Sequence, residues 1–144
     1  MNCRTFHITE LDDADAAFIV NYLTHEGSDF SLKLQRKIDG LPLRPVDGWI
    51  SLIVDYGEIV GWCRTETWVE QPIDVPWDTL EAFVNPSYRG RAFASWAAAG
   101  LVCGPLAEAS GVAVFAPSMM LLARKVGLFP VLFLKSPDGK WVRA

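Results

Sequence analysis

Alternating and helical spacings of apolar residues follow one another in order along this chain. Phe6 and Ile8 alternate with Thr5, His7 and Thr9, which predicts a first strand over Arg4–Thr9. Asp12, Asp13 and Asp15 then precede apolar positions at 16, 19, 20 and 23, the pattern of an amphipathic helix that ends near Gly27. A second short helix is predicted over Ser28–Gly40, with Leu32, Leu34 and Ile38 inward and Lys33, Arg36 and Lys37 solvated. After the loop Leu41–Pro45, two β-rich runs, Trp49–Val54 and Ile59–Trp68, flank Asp55-Tyr56-Gly57-Glu58, a hairpin signal. Val69–Trp77, with Pro72 and Pro76, reads as a loop, and Leu80–Val84 as a buried strand.

The second half repeats strand and helix. Asn85-Pro86-Ser87 turns the chain, and Arg89–Ala94 opens into an Ala-rich helix running from about Ala92 toward Ser110. Gly104-Pro105 should end that helix early, since Pro removes an internal hydrogen bond. Val112–Ala116 is a buried strand, and Ser118–Val126 a helix capped by Ser118, with Arg124 and Lys125 in its last turn and Gly127 after it. Val131–Leu134 and Lys140–Arg143 flank Ser136-Pro137-Asp138-Gly139 as a final hairpin. The order is β-α-α-β-β-β-α-β-α-β-β, an α/β layered fold with a mostly antiparallel front and a βαβ back.

Composition narrows this to one domain spanning residues 1–144. A chain of 144 residues that is 51% hydrophobic, with six Trp and eight Phe, buries a core without staples. Cys3, Cys63 and Cys103 are odd in number and form no CxxC pair, which argues against a zinc site or disulfide framework and for a reducing compartment. The first residues hold no apolar signal region, and no apolar run approaches the ~20 residues of a membrane span, so a cytoplasmic protein is expected. Residues 1–84 carry six Lys/Arg against fifteen Asp/Glu, while residues 85–144 carry seven against two, net charges of −9 and +5. That division suits an anionic ligand on the C-terminal half and a cationic one on the N-terminal half. The run Lys33–Lys37 is too short, in an acidic setting, to mark a nucleic-acid surface.

The stretch Thr79–Ala94 concentrates the chemistry. Strand, turn, small-residue loop and helix start leave unpaired backbone N–H groups at the positive end of a helix dipole, which suits an anion.

Three motifs give the chain a family resemblance. Val84-Asn85-Pro86-Ser87-Tyr88-Arg89-Gly90-Arg91-Ala92-Phe93-Ala94 resembles the pyrophosphate signature V-x-P-x-[YF]-R-G-x-G-x-[GA] of the GNAT superfamily of acyl-CoA-dependent N-acyltransferases. Tyr56-Gly57-Glu58-Ile59-Val60-Gly61-Trp62 is similar to that family's turn into its third strand. Ser118–Phe129, with Lys125 and Gly127-Leu128-Phe129, resembles its closing helix and tail. There are two departures. The signature's first glycine is Ala92, which suits that place if its backbone is helical, and the Tyr that often protonates the departing thiolate is replaced by Ala123.

The resemblance implies a three-layer fold, a central mixed and mostly antiparallel sheet of six to seven strands flanked by three to four helices. It implies acetyl-CoA as acyl donor, held by Phe83, Val84, Arg89, Gly90, Arg91, Ala92, Phe93, Ala94, Ser95 and Ser118, with no metal. Attack by an amine calls for a base; Glu81 on the strand is the candidate, with Glu66 and Glu70 in reserve, and Tyr88 or Ser118 as acid. His7 and His25 read as structural or surface residues, and Trp49, Trp62, Trp68 and Trp77 as core, one or two of them lining an acceptor pocket. The activity implied is transfer of an acetyl group to a primary amine, on a small basic molecule, a protein lysine or an N-terminus, by direct attack in a ternary complex. The expected partner is that acceptor, cationic in character, rather than nucleic acid or membrane; homodimerisation stays open. The alternative is a catalytically silent domain of the same fold that binds CoA or a protein partner.

Overall fold

A computed structural model describes residues 1–68 and 77–144 of the chain. The expected loop over 69–77, including the reserve carboxylate Glu70, falls almost wholly outside the described residues. Strand β1 (Asn2–His7) pairs antiparallel with β2 (Trp49–Asp55), β2 with β3 (Glu58–Thr65), and β3 with β6 (Glu81–Val84). A two-residue ribbon, β4 (Thr67–Trp68) with β5 (Trp77–Asp78), precedes β6. On the other side β7 (Gly111–Val114) runs parallel to β8 (Phe129–Lys135), which pairs antiparallel with β9 (Trp141–Arg143). A parallel bridge between Thr79 and Ala113 links the two halves.

The local chemistry explains most of these elements. Tyr56 and Gly57, both at positive φ, make the two-residue turn that sets Asp55 opposite Glu58. Helix α1 (Asp13–Tyr22) starts with acidic residues and buries Ala16 and Ile19. It ends five residues short of Gly27, because Leu23 leaves helical geometry and its side chain goes into the core. Helix α2 (Asp29–Ile38) is capped by Ser28, whose side chain accepts from the Ser31 N–H. Two expectations about α2 are corrected. Leu32 is 57% exposed, since the inward stripe falls on Phe30, Leu34 and Ile38 at four-residue spacing. Lys33 is not solvated; it forms ion pairs with Asp47 and Glu66.

Helix α3 (Phe93–Val102) stops just ahead of Gly104-Pro105, and α4 (Pro117–Lys125) links β7 to β8. Ser118 does not cap α4. Pro117, with φ preset and no N–H to satisfy, starts the helix one residue earlier and leaves Ala116 at the cap without a side-chain bond.

The sheet carries two cores. One face packs α1 and α2 on Ile50, Leu52 and Trp62, whose indole N–H donates to the Leu23 carbonyl at 2.8 Å. The opposite face packs α3 and α4 on Ile53, Val60, Cys63, Leu80 and Val84. An aromatic cluster of Trp68, Phe133 and Trp141 with Phe115 and Trp77 fills the C-terminal half of the sheet.

Gly61 sets how closely β3 and β6 approach. A Cβ there would lie 2.6 Å from the Phe83 carbonyl oxygen and 3.0 Å from the Val84 Cα, both backbone atoms. Gly61→Ala is therefore expected to lower stability by about 2 kcal/mol through overpacking, read as a shifted urea midpoint.

Candidate functional site

The halves of the sheet touch and then part. Thr79 bridges to Ala113, and the Leu80 N–H donates to the Ala113 carbonyl at 3.0 Å. Beyond that point, among the described residues, β6 pairs only with β3 and β7 only with β8. A cleft of about 730 Å³ opens in the gap, walled by β6, the start of α3, α4 and His25 of the α1–α2 loop.

Strand register determines what backbone faces it. The Asn85 N–H donates to the Val60 carbonyl at 2.7 Å, so odd-numbered residues of β6 hydrogen-bond toward β3. Leu80 bonds the other way, to β7. The N–H groups of Ala82 and Val84 therefore turn into the gap, where β7 has moved away, and both residues line the cleft. Two aligned backbone donors in a cleft form a place for a carbonyl oxygen that gathers negative charge.

At the wider end, Asn85 accepts from the Ser87 N–H, Gly90 has φ 82°, and Ala92 has φ 61° and ψ 15°. Ala92 is thus left-handed and not helical, which corrects the condition on which Ala was expected to suit this position. The strain of that backbone on an L-residue is about 1 kcal/mol. Its effect is to swing the chain into α3 with no side chain over the helix start, so the N–H groups of Phe93, Ala94 and Ser95 stay uncapped. All three residues line the cleft.

The charge of the cleft is positive. Arg89 and Lys125 line it, and no carboxylate does among the described residues. Arg89 is fixed by its Nε donating to the Val84 carbonyl at 2.8 Å and by its guanidinium lying 5.4 Å from the Phe83 ring centre. Arg91 does not line the cleft; it lies over the ring of Tyr88.

The carboxylates gather on the α1–α2 face of the sheet instead. Arg64, 2% exposed, stands opposite Glu81 in the β3–β6 register and stacks its guanidinium 4.4 Å from the Phe30 ring centre. Its Nη2 donates to Glu81 Oε1 and to Glu66 Oε1, each at 3.1 Å. Glu66 also meets Lys33, which pairs with Asp47 at 3.1 Å. Burial would raise the Asp47 carboxyl, but the Arg44 backbone N–H and the charges of Lys33 and Arg44 outweigh it and hold the group below its ordinary range. Asp78, by contrast, is pushed up by burial; it lines a separate pocket of about 110 Å³, too small for a large ligand.

Of the residues expected to bind the donor, Phe83, Val84, Arg89, Gly90, Ala92, Phe93, Ala94, Ser95 and Ser118 come together around the cleft, as does Tyr88. Arg91 lies beside it, and Glu81 stands on the neighbouring face of the same strand. Ala123 is fully buried on the inner face of α4. Sequence reasoning passed over His25, Met119, Leu121, Leu122 and Lys125 as cleft residues. The helical spacing of 118, 121, 122 and 125 was the signal for the α4 group. His25 had none, because loop geometry brings it there.

No protein-family model matches the chain, and neither does any curated protein. Solved structures do. Aminoglycoside acetyltransferase AAC(6')-Ib with ribostamycin and coenzyme A superposes with a TM-score of 0.62 at 16% identity, over 99% of this chain and 92% of that one. The same enzyme with coenzyme A gives 0.61 at 15% identity over the same shares. Aminoglycoside 6'-N-acetyltransferase AAC(6')-IG from Acinetobacter haemolyticus, without ligand, gives 0.55 at 16% identity, over 89% and 90%. These proteins have the GNAT fold, and so does this chain.

Proposed function

We propose that the protein is an N-acetyltransferase that moves an acetyl group from acetyl-CoA to a primary amine. The observation that carries this is the parted β6–β7 pair, with the Ala82 and Val84 N–H groups facing a cleft that ends on the uncapped N-terminus of α3. The donor would lie along it, its pyrophosphate on the N–H groups of Phe93, Ala94 and Ser95 beside Arg89, and its thioester carbonyl at Ala82 or Val84. Ser118 and Tyr88 would hydrogen-bond the arm and the phosphates. Two of the similar structures are aminoglycoside acetyltransferases with coenzyme A bound, which supports the donor assignment.

Glu81 is the proposed base. Strand alternation puts it on the face opposite Ala82, and Arg64 fixes its carboxylate there. With Glu66 beside it, this face would attract a cationic acceptor. Glu81→Gln should lower kcat about 100-fold and leave CoA affinity unchanged by calorimetry; a wild-type rate would move the role to Glu66. The three cysteines are free and no helix among the described residues is long and apolar enough to cross a membrane, which supports a cytoplasmic setting.

The deciding assay is release of free thiol from acetyl-CoA with a panel of polyamines, aminoglycosides and lysine peptides. Thiol that depends on one of these amines supports the enzyme. CoA binding with no thiol from any of them would make this a silent CoA-binding domain.

A further inference from the structure

Across the splay from Glu81 the sheet carries an aromatic wall. Val112 and Val114 pack with Leu80 and Val84 in the α3–α4 core, so Ala113 and Phe115 share the opposite face of the sheet with Glu81 and Phe83. The parallel bridge between Thr79 and Ala113, carried two residues on, sets Phe115 level with Glu81 on the far side of the splay. Phe115 is partly exposed, and so is Trp141, with ring centres 4.8 Å apart. Trp68 backs Phe115 edge-on at 5.1 Å. Among the described residues, the cluster that holds these rings includes none from a helix.

The charges on this face are largely closed on one another. Glu66 accepts from Arg64 at one carboxylate oxygen and from Lys33 at the other, and Asp47 meets Lys33 and Arg44. Glu81 accepts from Arg64 at Oε1 only, and among the described residues nothing donates to its Oε2. Lys135 holds its ammonium 5.4 Å from the centre of the Trp141 ring, which places a positive charge on the aromatic wall. Glu26, beside His25, is exposed, where water and salt screen it. The face thus offers a first ammonium a free carboxylate oxygen and its carbon body an apolar wall. A second ammonium would meet closed ion pairs and Lys135.

We propose, on the acyl-transfer reading of this same site, that the acceptor is an arylalkylamine, a monoamine whose ring packs on Phe115 and Trp141 while its nitrogen meets Oε2 of Glu81. Glu81 takes a proton from the ammonium, and the freed electron pair of nitrogen forms the N–C bond. The C–S bond breaks with its pair on sulfur, and the thiolate takes up the second proton that nitrogen loses. The products are an N-acetyl arylalkylamine and CoA thiol, and Glu81 returns its proton to water. Polyamines and aminoglycosides carry charges for which this face has no free partner among the described residues, so they are the poorer acceptors.

The test measures thiol release from acetyl-CoA by wild type with 2-phenylethylamine, spermidine, ribostamycin and a lysine peptide. 2-Phenylethylamine should give the highest kcat/KM by about 10-fold or more, the factor that burial of a phenyl ring supplies. Phe115→Ala should raise KM for 2-phenylethylamine about 10-fold and change kcat much less, because the ring contact is shared by ground state and transition state. Phe115→Leu, which keeps apolar volume in the cluster, should fall between the two. CoA calorimetry on each variant reports that the donor site is folded; if Phe115→Ala does not fold, the ranking of amines by wild type decides alone. An equal or higher kcat/KM for spermidine, ribostamycin or the lysine peptide would overturn the arylalkylamine assignment and leave the acyl-transfer reading standing. So would a Phe115→Ala protein that binds CoA and keeps the wild-type KM. A wild type that binds CoA and releases no thiol with any of the four amines would overturn both.

Discussion

Arg64→Met is expected to lower stability by about 2–3 kcal/mol, measured by urea unfolding at neutral pH. The size follows from what the guanidinium holds together. It is buried between Phe30 and the ends of β3 and β6, and among the described residues it alone pairs with Glu81 while sharing Glu66 with Lys33. Methionine restores most of the packing but leaves Glu81 half-buried without a counter-charge, and removing one partner of a buried pair is the costly case. Two features hold the loss toward the low end of that class. Glu81 keeps a third of its side chain in contact with water. Among the described residues, moreover, Nε and Nη1 of Arg64 are buried without a hydrogen-bond partner, so the substitution also removes their desolvation. Adding Glu81→Gln to Arg64→Met should recover part of the loss, because the unpaired charge is then gone. Equal losses for the single and double variants would show that packing on Phe30, and not charge pairing, sets the value of Arg64.

Ala92→Asp is expected to weaken CoA binding about 100-fold by calorimetry. The substitution sets a carboxylate at the last residue before α3, against the uncapped N–H groups of Phe93, Ala94 and Ser95. Two effects add there. An Asp side chain at a helix N-cap accepts from those N–H groups and takes the donors that a pyrophosphate would use. Its charge also repels the phosphates; at an effective dielectric of 20 two unit charges 4 Å apart differ by about 4 kcal/mol, and exposure of Ala92 to solvent reduces this to about 2–3 kcal/mol. The control at the same residue is Ala92→Gly. It relieves the left-handed strain at φ 61°, so it should raise stability by about 0.5–1 kcal/mol and leave CoA affinity intact. Equal affinity for all three proteins would place the phosphates elsewhere.

These expectations rest on features of unequal legibility in the sequence. The turn at Tyr56-Gly57, the end of α3 ahead of Gly104-Pro105 and the turn from Asn85 to Gly90 were readable, because each depends on the φ preferences of two or three adjacent residues. Boundaries that depend on packing were not. Leu32 fits a helix pattern as well as Phe30 does, and only the position of the sheet decides which side of α2 is inward. Ser118 has the chemistry of a cap, yet Pro117 one residue earlier takes the start of the helix.

By itself, the sequence determined the order of the main strands and helices and the α/β class, since these follow from local periodicity and turn chemistry. The tertiary structure decided which residues meet. Glu81 finds Arg64 because the β3–β6 register places them opposite each other, and His25 reaches the cleft because a loop some sixty residues before β6 folds over Phe83. It also decided the backbone of Ala92, whose side chain prefers the helical region and is held outside it by the path from β6 into α3. Such pairings come from long-range packing, which adjacent residues do not encode.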